Sequence, residues 1–465
     1  MKTIKNYIQL TMKTRIALFA LISLGILKAS AQENNSTSGA ARQMSLTEAI
    51  KFASENSYKA KYSKAEIEKA RQKIWETTAI GLPQINAEGT FNKNIDIPVQ
   101  VVPAEFFGGQ PGQFANVKFG VDYNMTGGIT ASQLLFDGGY LVGLRASKAY
   151  KTLVEMQDSK NNIDIKDAVS QAYFNVLIAE ESQKTTDSTL LVFEKLLSET
   201  KALNETGFLE ETDVDQLTIT KETVQNLNEN LKKQIILAKY LLKLTMGLDM
   251  ETDLQLTDNL QGLVSNLAIP DYETAKFELS NHPDYKIFSS SLMMTKLDWD
   301  LSRSSNLPSL STFITHQQNA FSNSFSFFEK GQAWFPTTIW GVRLTVPILS
   351  SGNRWAAAKQ KKIEFEKMKL QEKEVEQSLK IQSEKAKFDL LNAQNTYISE
   401  QGSLNLAKKI VRKTSIKYTE GLSSSLDLST VQNQYLQKQT AYFNSLINLL
   451  NAKLAYDKAY GKINN

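Results

Sequence analysis

The chain repeats itself, so any fold proposed for it must be one that can be built twice. "EAIKFASEN" (Glu48 to Asn56) resembles "ETAKFELSN" (Glu273 to Asn281), and "GLPQI" (Gly81 to Ile85) resembles "NLPSL" (Asn306 to Leu310), both pairs at the same offset in the numbering. "FDGG", ending at Gly139, matches "LSSG", ending at Gly352, at a slightly smaller offset. Gly207 and Gly247 match Gly421 and Gly461 at nearly that smaller spacing. Matches that keep their order point to a duplicated unit. Two copies are expected, 32–250 and 270–465, joined by a linker over 251–269.

Each copy carries two kinds of pattern. "SLTE", Ser45 to Glu48, reads as a capping box that opens a helix running to about Ala79. Long helical patterns follow Gly139 and Gly352, ending near Glu205 and Thr419, and shorter partner runs span Glu210 to Gly247 and Ser424 to Gly461. A helix as long as either of the first two reaches about 100 Å, more than a globular core needs. Leu390, Tyr397, Leu404, Val411 and Tyr418 recur every seven residues, as do Leu428, Tyr435, Tyr442, Leu449 and Tyr456. Such a repeat predicts coiled-coil packing. The polar faces fit either a solvated outer surface or, in addition, a second wet surface such as a lumen.

Between the helices the period becomes two. In "INAEGTFNKNIDIPV" one face takes Ile85, Ala87, Phe91, Ile95, Ile97 and Val99, and the other takes Asn86, Glu88, Thr90, Asn92, Asn94 and Asp96. "VKFGVDYNM" and "WGVRLTVPIL" (Trp340 to Leu349) alternate likewise, while the strand after Pro308 is less regular. This predicts a β-hairpin in each copy, about 83–137 and 308–350, with the Gly-, Pro- and aromatic-rich stretches between strands as loops suited to a membrane interface. Four strands cannot close a barrel, and open edges are not tolerated in hydrocarbon, so a membrane sheet of this kind needs several chains. The alternative is a soluble four-stranded sheet packed on helices.

Bulk properties narrow the class. Residues 1–31 read as an export signal: Lys2, Lys5, Lys13 and Arg15 precede an apolar run from Ile16 to Leu27, followed by "ASA". Without that segment the chain has 48 basic and 49 acidic residues, so the formal charge of +4 is no argument for nucleic acid. There is no cysteine, which excludes disulfides and thiolate sites.

Taken together, the export signal, the duplication, one hairpin per copy and the heptad helices resemble the TolC family of outer-membrane efflux proteins. The resemblance is carried by "MSLTEAIKFASENS", "GLPQI", "NLPSL", "QLLFDGG", "PILSSG" and the Tyr418-x-x-Gly421-x-x-x-x-x-Asp427-Leu428 pattern, and it covers nearly the whole mature chain. It implies a mainly α fold with a transmembrane β part. The chain would be one protomer of a homotrimer, with a twelve-stranded barrel in outer-membrane lipid and a helical tunnel across the periplasm. The implied activity is passive export of drugs, metals or other solutes, in partnership with a periplasmic adaptor and a proton-driven or ATP-driven inner-membrane pump. The family's adaptor-docking turns fall here on Gly207, Phe208 and Leu209 and on Gly421, Leu422 and Ser423. Its gate aspartates fall on Asp213 and Asp427, which read equally well as carboxylates at helix amino termini. A second gate aspartate would fall at Thr430 and a basic latch at Ser423, so the chain departs from the family's pattern there.

No cofactor is expected, because no GxGxxG or GxxxxGK[ST] occurs. His282 and His316 stand apart from any metal-ligand spacing and are expected to be surface or packing residues. Basic runs such as Ala358 to Gln377 interleave with acids, which marks a solvated helix face. The readings that compete with solute efflux are the exit duct of an ATP-driven protein secretion system, an exported coiled-coil interaction protein without a pore, and a barrel enzyme. The last lacks any Ser-His or metal constellation.

Overall fold

The computed structural model describes residues 42–265 and 276–462. The expected export signal and part of the expected linker lie outside these residues. The chain divides into a small unit that includes Arg42 and 251–255, where the Arg42 N–H donates to the Asp253 carbonyl at 2.9 Å, and a main unit of 43–250 and 256–462. The elements below belong to the main unit.

The first half runs α1 (Leu46–Asn56), α2 (Tyr58–Ala79), β1 (Gln84–Lys93), β2 (Val99–Pro103), β3 (Phe114–Lys118), β4 (Tyr123–Asp137), α3 (Gly138–Glu205) and α4 (Glu211–Met246). The second runs α5 (Pro283–Ser304), β5 (Ser309–Ser322), β6 (Phe335–Thr345), α6 (Asn353–Thr419) and α7 (Ser425–Ala459). The long helices α3 and α6 fold back on α4 and α7 as two antiparallel hairpins, and α3 and α4 also pack on α7.

The heptad positions form the seam. None of the ten is exposed; Leu390, Tyr418, Leu428, Tyr435, Leu449 and Tyr456 are buried. Burying a large apolar side chain contributes about 1.5–3 kcal/mol, so the seam holds helices whose outer faces are wet. Midway along α3, the Tyr173 hydroxyl donates to the Met44 carbonyl at 3.0 Å and to Asp258 Oδ2 at 2.9 Å. That satisfies its one polar atom, and burial pushes its pKa upward.

The capping box at Ser45 forms as its spacing predicts, with the Ser45 N–H donating to Glu48 Oε2 at 2.8 Å. The helix it opens does not reach Ala79 in one piece. It stops at Ser57, whose backbone leaves the helical region at φ −59°, ψ 149° and whose hydroxyl accepts from Ala60 N–H at 3.2 Å to start α2.

The strands make one antiparallel sheet in the order β1-β4-β5-β6. Their junctions with the helices use the repeated motifs. Asp137 Oδ1 accepts from Tyr140 N–H at 2.7 Å to cap α3, and Gly138 lies so close to the Leu307 side chain that a Cβ would have no room. Leu307 belongs to "NLPSL", so motifs from the two copies pack against each other.

Three expectations for the strands are corrected. The strand read through Val99 breaks after Lys93, where Asn94 bonds back to the carbonyls of Val121 and Asp122 and Pro98 cannot donate. The stretch read as a loop beyond it holds the ribbon β2–β3. The last strand begins at Phe335 and ends at Thr345, before Pro347.

Candidate functional site

Two regions bear on function: the faces of the sheet and the turns at the far ends of the helical hairpins.

Register fixes which side chains share a sheet face. Ile85 stands level with Ala131, Ile314 and Trp340, while Thr90 stands level with Thr126 and Asn319. One face therefore carries Ile85, Phe91, Met125, Ile129, Ile314, Trp340, Val342 and Leu344. The other carries Asn86, Glu88, Asn92, Thr130, Gln317 and Arg343. The polar face is laced by side-chain bonds: Asn92 to Asn124 at 2.8 Å, Thr126 to Asn319 at 2.9 Å, and Thr130 with Thr315 at 3.0 Å. A sheet packed on helices would bury its apolar face. Here Ile85 is 72% exposed, Trp340 71% and Leu344 62%, so that face is bare.

At the end away from the helices, Phe91 stacks on Tyr123 with ring centroids 6.0 Å apart and meets Phe325 and Phe327 edge-on at 5.6 and 5.9 Å. An aromatic cluster at the rim of an apolar band suits a membrane interface. His316 interrupts the apolar face and bonds Thr338 Oγ1 through Nδ1 at 2.8 Å. It is a surface residue, as expected. His282 instead is buried, and its Nδ1 accepts from Asp284 N–H at 3.2 Å to cap α5.

The two turns are built alike. Gly207 has φ +79° and Gly421 φ +73°, a region that residues with a Cβ disfavour. Gly207 N–H donates to Asn204 O at 2.8 Å and Phe208 N–H to Leu203 O at 2.9 Å. Gly421 N–H donates to Tyr418 O at 3.0 Å and Leu422 N–H to Lys417 O at 2.7 Å. Both are Schellman caps, which satisfy the last carbonyls of α3 and α6 and turn the chain. The residue after each glycine points outward, Phe208 at 79% exposure and Leu422 at 71%. Leu209 anchors its turn through its carbonyl, which accepts from Asn204 Nδ2 at 2.8 Å.

The restart of each hairpin differs. Asp427 Oδ2 accepts from the Ser424 N–H at 3.2 Å, the Ser424 hydroxyl at 2.8 Å and the Ser423 hydroxyl at 3.3 Å, while Asp427 N–H donates to Ser424 Oγ at 3.1 Å. This capping box holds the Asp427 carboxyl below the usual carboxylate range, with the Ser424 hydroxyl as the largest cause. Asp213, its counterpart, sits in the first turn of α4 behind Glu210, which makes no side-chain cap bond.

The fold brings both turns to one end of the bundle. Phe193, Leu196 and Leu217 from one hairpin and Tyr418 and Leu428 from the other make a buried cluster just behind them. Thr200 bonds the Tyr418 hydroxyl at 2.9 Å and Thr220 bonds Ser429 at 2.9 Å. A groove between the turns is lined by Leu203, Phe208, Leu209, Tyr418 and Gly421. Thr200 and Leu203 were not evident from sequence, because contacts between the two halves of the chain leave no local pattern. Among the described residues no group of three or more His, Asp or Glu side chains could hold a metal ion, and no helix is long and apolar enough to cross a membrane.

Residues 278–462 match the family described as outer membrane efflux protein. The match spans the second half of the chain, from just before α5 to the end of α7. No curated protein matches it significantly. Among solved structures, VceC, an outer membrane protein of Vibrio cholerae, shares 14% identity over 90% of this chain and 96% of its own, with a TM-score of 0.67. The MtrE outer membrane channel of Neisseria gonorrhoeae, solved in its open state, shares 17% identity over 90% and 88%, with a TM-score of 0.67. The CmeC outer membrane channel of Campylobacter jejuni shares 17% identity over 90% and 85%, with a TM-score of 0.65. At these identities the likeness is one of fold, and it extends over both halves of the chain.

Proposed function

We propose that the chain is one protomer of a homotrimeric exit duct, which passes small solutes such as drugs or metals from a periplasmic adaptor and an inner-membrane pump across the outer membrane. The observation that carries this reading is the four-stranded sheet, with one polar face and, among the described residues, one bare apolar face and two unpaired edges. In hydrocarbon an open edge costs several kcal/mol for each unmade backbone hydrogen bond. Three copies closing edge to edge satisfy both edges and turn the polar face inward onto water. Residues 1–31 act as the export signal in this reading. The duplicated units 32–250 and 270–465 each supply one strand pair and one helical hairpin, with 251–269 between them.

The exposed Phe208 and Leu422, with Gly207, Leu209, Gly421 and Ser423 around them, form the adaptor-docking end. Asp213 and Asp427 lie close behind it and are the candidates for a charged entrance. Purified protein in a planar lipid bilayer tests the duct directly. Discrete conductance steps are expected, and a well-folded oligomer that never conducts overturns it. Copurification after crosslinking in cells would identify the pump, and recovery of no adaptor would remove the tripartite part of the reading.

A further inference from the structure

The two edge strands carry one charge each on the polar face of the sheet, and the charges are opposite. In β1 it is Glu88 and in β6 it is Arg343; Lys93, the other charged residue of these strands, lies on the apolar face with its ammonium 5.5 Å from the centre of the Tyr123 ring. β4 and β5 separate the two edges, so Glu88 and Arg343 are about 14 Å or more apart within one chain at the usual strand spacing. Neither makes an ion pair among the described residues. The Arg343 guanidinium lies over the Phe313 ring, 5.5 Å from its centre, which holds it on the polar face.

We propose that Glu88 of one protomer pairs with Arg343 of the next on the inner wall of the barrel, and that this pair sets the register in which β6 joins β1 of the neighbouring copy. The proposal rests on the trimeric barrel of the preceding subsection.

Register permits the pair, and the opposite charges select it among the permitted staggers. Within the sheet, Glu88 is level with Gly128, Gln317 and Thr337. Joining copies without stagger would set Glu88 beside Thr337 and leave the end of β6 beyond Gly341 without partners, because β1 begins at Gln84. Tilted strands require a stagger in any closed barrel. The stagger must be an even number of residues, or the apolar face of one copy would meet the polar face of the next.

Arg343 lies six residues beyond Thr337. A stagger of four would pair all ten residues of β1 within β6 and set Arg343 opposite Asn86, diagonal to Glu88; a stagger of six sets it opposite Glu88 and pairs eight of the ten, Asn86 to Lys93, with Thr345 to Thr338. Over twelve strands, at ~3.3 Å per residue and ~4.8 Å between strands, that stagger is a tilt of roughly 45°, within the range of outer-membrane barrels. The direct pair and its diagonal neighbours are within reach of an arginine side chain.

The chain contains no cysteine, so an engineered pair reports on itself. Glu88→Cys combined with Arg343→Cys is oxidised in the assembled protein and run on a denaturing gel without reductant, beside controls that move the first cysteine two residues either way, Asn86→Cys and Thr90→Cys. Linked dimers and trimers are expected, in highest yield for the 88–343 pair. A trimer by native mass that links better through either control, or not at all, overturns the register while the duct reading stands. A monomer by native mass overturns that reading and the pair with it. The charge itself is tested by Glu88→Arg and Arg343→Glu. Each is expected to lower the temperature at which the oligomer dissociates in detergent, and the double exchange to restore it; failure to restore overturns the ion pair.

Discussion

Ser57 and His282 stand at the same place in the two copies, and each caps a helix with its own side chain. Serine does so at any pH, whereas His282 needs an unprotonated Nδ1 to accept from Asp284 N–H. Burial holds the imidazole below its usual value near 6.5; the Asp284 carboxylate opposes this, and the Lys160 and Lys458 ammonium groups reinforce it. A group with a depressed folded pKa contributes stability that is whole above the unfolded value. That stability is lost as pH falls below about 6.5 and through the folded value. The melting temperature should therefore drop between pH 7.5 and 5.5, and His282→Ser should flatten the drop; an equal drop in both proteins would locate the acid sensitivity elsewhere.

At the other end of the bundle, Asp427→Ala removes one half of a capping box, the bonds its carboxylate accepts, and leaves the backbone N–H of position 427 on Ser424 Oγ. Faster hydrogen exchange is expected over the first turn of α7. A rise in single-channel conductance on top of it would give Asp427 a gating role, and unchanged conductance would leave it the cap alone. The box at Ser45 was legible from sequence because its Glu48 stands at the right spacing before an apolar-periodic run. Ser57 was not, since a serine inside a helical pattern looks the same whether it caps or continues the helix.

The long helical hairpins followed closely from the heptad positions, because a seam repeating every seven residues has one way to be buried. Where the two hairpins meet, Leu217 and Leu428 are both fully buried. Leu428→Ala should cost about 2–5 kcal/mol, as other large-to-small core changes do. Denaturant midpoints would show it, and a loss below about 1 kcal/mol would mean that the hairpins are not held together there. The turns are a separate element. Gly421→Val puts a branched side chain at φ +73° and should loosen the end of α6, whereas Leu422→Asp changes only the exposed residue. We expect the second to abolish adaptor capture with the oligomer intact; capture at the usual level would remove Leu422 from the docking surface.

The strands were less legible than the helices. Alternation at Ile85 to Asn92 gave the correct faces, but it continued on paper through Asn94 and Asp96, where backbone bonds to Val121 and Asp122 bend the chain instead. The pairing of β4 with β5 joins one copy of the repeat to the other, and no local pattern states such a register.

The whole molecule is explained by a conflict that one chain cannot resolve. Its helices have a seam to bury and polar faces to wet, and they do both within a single copy. Its sheet has an apolar face with nothing to cover it, a polar face laced by hydrogen bonds, and two long edge strands, β1 and β6, each with one side unpaired. In the proposed duct a membrane covers the first, water fills the second, and further copies of the same chain pair the third. The duplication supplies the regularity that closure needs, because each copy of the chain brings two strand pairs and two helical hairpins to the ring. The central claim is therefore the number of chains in the assembled protein. Native mass spectrometry of the detergent-extracted complex measures it most directly: a single species of three chains is the expected result, and a folded monomer would contradict the account.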